Sequence, residues 1–142
     1  MAQTRVPTRP RRWRALAAPL ALLGAVTAAT AYVAAVDPNE AGHYPTCPFL
    51  WATGLYCPGC GSMRMVHALA HGDVGEAFGR NPLALLLLPV LGYLWWRWLT
   101  AAAADRPVSA RLVRPATAWA LGALLIAYWI ARNLPVGHAL AP

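Results

Sequence analysis

The run Pro82 to Ala104, PLALLLLPVLGYLWWRWLTAAAA, holds a single charged side chain, Arg97. A helix needs roughly 20 mainly apolar residues to cross a bilayer core, with about 17 as the lower limit. This run meets that length, and its Trp95, Trp96 and Trp98 sit near one end as an interfacial aromatic belt does. Outward from it, Ala15 to Val36 and Pro115 to Ala131 carry no charge at all. The third block is short, so its flanking Arg114 and Arg132 are expected to snorkel toward the headgroups. The whole chain of 142 residues is 58% hydrophobic and only 12% charged. A soluble domain carries about 25% charged residues. The sequence therefore predicts an all-α integral membrane protein with three transmembrane helices at about 15–36, 82–104 and 113–131. Residues 1–14, rich in Arg and Pro, read as a disordered tail, and 15–142 as one membrane domain.

Charge placement predicts orientation. All twelve basic residues are Arg, and the net charge is +7. Arg5, Arg9, Arg11, Arg12 and Arg14 precede the first block, and Arg106, Arg111 and Arg114 precede the third. The loop 37–81 has only Arg64 and Arg80, offset by Asp37, Glu40, Asp73 and Glu76. Basic residues beside span ends stay on the cytoplasmic side. The expected arrangement is a multi-pass protein of the plasma membrane, with its N-terminus cytoplasmic and its loop and C-terminus extracytoplasmic. The Arg-rich tail suits anionic lipids. Nucleic acid is excluded as a partner, because no basic helix or aromatic–basic interleaving accompanies that tail. Another membrane protein or a second copy is the remaining class of partner. The first block, 22 residues long, exceeds the roughly 7–15 apolar residues of a cleaved signal, and reads as a retained anchor.

The outer loop holds the chemistry. Cys47, Cys57 and Cys60 are the only cysteines, and the last two frame Cys57-Pro58-Gly59-Cys60-Gly61. After Gly61 the pattern turns helical, with Arg64, His67 and His71 on one face and Met65, Ala68 and Leu69 beside the other. Gly72 stops that helix. Asp73-Val-Gly-Glu76 reads as a reciprocal cap opening a second short helix, and Asn81-Pro82 as the cap of the long one. One or two short interfacial helices are thus expected in the loop. The ends of the blocks place Cys47, Cys57, Cys60, Arg64, His67, His71, Asp73, Asn81, Arg132 and Asn133 at one membrane face. Arg132, at a span's end, reads most simply as a headgroup anchor.

Three readings of the thiols stay open. An oxidising compartment favours a disulfide, with one thiol left over. Zinc takes four ligands, and Cys47, Cys57 and Cys60 with His67 or His71 supply that number. A Cys-x-x-Cys pair opening a helix, with Arg64 four residues on, also suits thiol–disulfide exchange by Cys57 and Cys60. Whether the chain is an enzyme is left open by these residues. The leading expectation is a Cys-rich cap, bridged or metallated, with a structural or partner-binding role; a membrane thiol oxidoreductase is the alternative.

Cys47-Pro48, Thr53-Gly54, Cys57-Pro58-Gly59-Cys60-Gly61, Arg64, His71-Gly72-Asp73 and Asn81-Pro82 together resemble the small bacterial membrane proteins of domain-of-unknown-function family 2752. The resemblance spans roughly residues 45–100, with Arg132-Asn133 and Pro135 as a trailing element. It implies a short polytopic membrane protein with this cysteine-bearing loop, and it implies no activity. Met63 stands where the family often has Thr.

Overall fold

The structure, a computed structural model, describes residues 12–40, 42–106 and 115–140. Every regular element among them is helical: α1 (Arg12–Ala35), α2 (Pro48–Thr53), α3 (Ser62–Ala70), α4 (Val74–Arg80), α5 (Pro82–Ala103), α6 (Pro115–Asn133) and a closing 3₁₀ turn (Pro135–Leu140). The all-α expectation holds. Helix α1 begins at Arg12, so the last residues of the basic segment join it. The rest of the expected disordered tail lies outside the described residues, as do Arg111 and Arg114.

Among the described residues, two helices, not three, are long and apolar enough to cross a membrane: Trp13–Ala35 and Pro82–Ala103. The expected third span is corrected. Helix α6 has 19 residues, but its last turn is Arg132-Asn133, and both side chains serve polar contacts within the protein. Polar groups in the final turn and the intervening Thr, Tyr and Trp dilute its apolar character. The two long helices are bare. Within their most apolar windows only 11% of the first and none of the second is buried, and Leu22, Leu23, Val26, Leu86, Leu91 and Leu94 are exposed. Helices α1 and α5 pack along each other, and Trp95 Nε1 donates to the Pro19 carbonyl at 3.1 Å.

The apolar core is small. It consists of Met65 and Ala68 of α3 and Ala77 of α4, flanked by Val66, Leu69, Ala84 and Leu85. Gly72, at φ +83°, turns the chain between α3 and α4 in a conformation that a side chain disfavours. Asp73 then caps α4, its Oδ1 accepting from the Glu76 N–H at 2.8 Å. The expected reciprocal bond is absent: Glu76 instead pairs with Arg80 at 2.9 Å, and the Asp73 N–H donates to the Ala68 carbonyl. The i,i+4 Arg competes for the glutamate and wins, because a charged partner is stronger than a backbone amide. Replacing Asp73 with Ala should therefore cost about 1 kcal/mol. Glu76→Ala, losing only an exposed pair, should cost roughly 0.5 kcal/mol or less; denaturant titration in detergent compares the two.

Candidate metal centre

The three sulfurs converge. Cys47, Cys57 and Cys60 place their Sγ atoms within 4.8 Å of one another. Cys57 Sγ lies 3.1 Å from Cys60 Sγ and 3.6 Å from Cys47 Sγ. A disulfide bond is about 2.05 Å, so none of these pairs is bridged, and all three are free thiols. The Pro58-Gly59 spacer allows the tight turn, in which the Cys60 N–H donates to the Cys57 carbonyl at 3.1 Å. The Cys57 N–H in turn donates to Cys60 Sγ at 3.2 Å, the kind of backbone support that thiolate ligands use. Cys47 enters from the other side, immediately before α2.

The thiols are electrostatically unequal. Burial pushes Cys60 up to about 12, and its hydrogen bond with Cys57 adds to the rise. Cys47 is lowered, chiefly by the Leu50 N–H in the first turn of α2, although no complete side-chain cap forms there. At Cys60, burial works against the thiolate that the start of a helix and Arg64 would favour. Desolvation dominates at Cys60, and it is Cys47 that is poised to ionise.

Three side chains from distant parts of the chain grip the loop's backbone. Arg132 is 2% exposed, and its Nη1 donates to the carbonyls of Cys57, Pro58 and Cys60 at 3.1, 3.3 and 3.2 Å. Asn81, fully buried, donates through Nδ2 to the Pro58 and Cys60 carbonyls and to Ser62 Oγ, at 3.0, 3.3 and 3.1 Å. Its Oδ1 caps α5 through the Ala84 N–H and also accepts from the Tyr128 hydroxyl. Asn133 accepts the Tyr56 N–H at 2.8 Å and donates to the Tyr56 carbonyl at 2.9 Å, like a strand neighbour. Phe49 and Trp129 meet edge to face, tying α2 to α6. The headgroup-anchor reading of Arg132 is corrected: the guanidinium turns inward, onto three loop carbonyls and between two tyrosine rings. Tyr56 and Tyr128 rings flank it at 6.0 and 5.1 Å. Neither tyrosine stands out in the sequence as a site residue. For Tyr128 the sequence sign is its place four residues before Arg132, one helical turn away.

The histidines stand apart from the sulfurs. The carbonyl of Val33 can only accept, so His67 Nδ1 carries the proton in their 2.8 Å bond, and Nε2 faces Asp37 at 3.8 Å. His71 Nδ1 contacts the His67 carbonyl at 2.9 Å, and the two rings lie 4.4 Å apart. His67 fastens α3 to the end of α1, His71 packs on His67, and the three-sulfur cluster among the described residues forms without them. The Asn39 N–H, ahead of His67, holds Asp37 below the usual carboxylate range. Asp73 is a cap at the far end of α3 and does not join the sulfurs. Arg64 lies with the three sulfurs on a cleft of about 570 Å³, also lined by Tyr44 and Tyr56.

These features define a class: a helical protein with two bilayer-length helices and a three-cysteine cluster braced by buried polar side chains. Residues 47–95 match the family described as Protein of unknown function (DUF2752). The matched segment contains all three cysteines, Arg64 and Asn81, whereas Arg132 and Asn133 lie beyond it. No curated protein and no solved structure matches the chain.

Two outcomes follow from this geometry. Asn133→Asp keeps the acceptor for the Tyr56 N–H but loses two donated bonds and sets a charge beside two carbonyls. It should lower stability by roughly 2 kcal/mol, read as a drop in thermal midpoint in detergent. In metal-stripped, reduced protein, iodoacetamide should modify Cys47 at a lower pH than a free thiol, while Cys60 resists wherever the fold persists. Peptide mass mapping across pH reads both; equal onset at the two sites contradicts the assigned environments.

Proposed function

We propose that this is a multi-pass membrane protein whose Cys47, Cys57 and Cys60 form a soft-metal thiolate centre, with zinc the candidate ion, capping one membrane face in a structural and partner-binding role. The observation that carries the reading is the convergence of three sulfurs on a loop held by buried polar groups. The fit is supported by charge. Arg132 is buried, and among the described residues no carboxylate pairs with it. Its Nε and Nη2 also lack partners. A buried cation is costly unless an opposite charge lies near. Three thiolates around a divalent ion leave one net negative charge, which a single guanidinium balances. Three neutral thiols, or a disulfide with one thiol, leave Arg132 uncompensated.

Zinc bound here would polarise the ligands it holds and lock the loop; the chain's own residues do the rest. Arg132 and Asn81 fix the loop carbonyls. The Cys57 N–H supports Cys60 Sγ. Three protein ligands leave a coordination position for a further donor. Helices α1 and α5, exposed along most of their lengths, are the two described segments long and apolar enough to cross lipid. The Arg asymmetry favours the cysteine face as extracytoplasmic and the basic segment as cytoplasmic, at the plasma membrane.

A second reading, thiol–disulfide exchange by Cys57 and Cys60, has in its favour their 3.1 Å separation. Metal analysis with thiol counting on detergent-purified protein separates the two. The metal reading expects about one zinc per chain and three thiols that react only after chelation. Cys57→Ser should abolish the zinc and lower the thermal midpoint. Metal-free protein with one reactive thiol and a reducible Cys57–Cys60 bridge, trapped as a mixed disulfide in a Cys-to-Ser variant, would overturn it in favour of exchange.

A further inference from the structure

We propose that the cleft beside the sulfur cluster binds a small thiol bearing a carboxylate, its sulfur completing the metal centre and its carboxylate received by Arg64. The inference rests on the metal reading and adds the ligand class for the same site. The cleft holds about 570 Å³, within the roughly 300–1,000 Å³ of small-molecule pockets. Its lining places Cys47, Cys57 and Cys60 on the same space as Arg64, Tyr44 and Tyr56.

Among the described residues, no fourth ligand joins the three sulfurs of the candidate zinc centre. His67 and His71 are held on the carbonyls of Val33 and His67. A soft, thiolate-rich centre prefers a further sulfur donor. Arg64 is half-buried at the cleft, and no hydrogen bond or ion pair engages it among the described residues. A guanidinium in that state is a bidentate receptor for a carboxylate. The nearby acid on the lining, Glu40, is occupied by His43 at 3.5 Å rather than by Arg64. Soft donor and carboxylate are thus called for at two points of one small space. Binding releases the thiol proton to solvent and transfers no electrons.

The test loads full-length protein in detergent with cobalt(II) in place of zinc and follows the sulfur-to-cobalt absorption during ligand titration. 3-Mercaptopropionate should bind at least about tenfold more tightly than 2-mercaptoethanol, a ratio set by one charge-assisted contact. Propionate alone should leave the sulfur-to-cobalt band unchanged. In Arg64→Gln the two thiols should bind alike, with the cobalt spectrum before titration reporting that the centre is intact. Equal affinities in the unmodified protein, or an undiminished preference in Arg64→Gln, overturn the proposal while leaving the metal centre standing. Failure of the unmodified protein to take up cobalt overturns both.

Discussion

A guanidinium buried to 2% exposure, with a single nitrogen donating to three carbonyls of one loop, is the constraint on which the cysteine site depends. Backbone carbonyls do not normally crowd together, because their dipoles repel. Arg132 supplies the charge that makes such crowding favourable, and the amide of Asn81 takes two of the same carbonyls. With its backbone polar groups satisfied in this way, the segment Cys57–Cys60 can fold tightly enough to bring its two sulfurs to 3.1 Å. Cys47 completes the triad because α2 and the loop after it are pinned to α6, by the contact of Phe49 with Trp129 and by the pairing of Tyr56 with Asn133.

This division of labour follows from where apolar surface is available. The long helices have it in quantity but show it outward. What remains for the loop is a three-residue core in α3 and α4, too small to order a segment rich in Gly and Pro by hydrophobic burial alone. Hydrogen bonds from α5 and α6 therefore replace packing as the ordering force. In surroundings of low dielectric such bonds are strong, and a missing partner is correspondingly costly. The same logic makes the unbalanced charge of Arg132 informative, since its natural complement is negative charge on the sulfurs it holds in place.

The histidines show how a residue type suited to ligation can serve as a fastener. His67 reaches the terminal turn of α1 and His71 folds onto His67, so both spend a ring nitrogen on backbone oxygen. Their helical spacing from the cysteines puts them at the same end of the helices, with His67 turned toward α1. The capping residues behave similarly. Asn81 is a helix cap, as its place before Pro82 implies, and the same amide also carries the loop.

Local chemistry was enough to establish several things from sequence. Apolar run lengths specified the helices, Gly72 and Asp73 marked the break between α3 and α4, and the connectivity brought the polar residues to one end. The cysteines were recognisable as a cluster because three thiols share fourteen positions in a chain with no others. What only the tertiary structure decided was direction and pairing: that Arg132 points inward, that Asn133 grips Tyr56 from 77 residues away, that the imidazoles turn from the sulfurs, and that α6 falls short of a span's apolarity. A side chain at a helix end has the same local sequence whether it faces lipid or loop. The choice is made by acceptors contributed from elsewhere in the chain, and these exist only once the helices have packed.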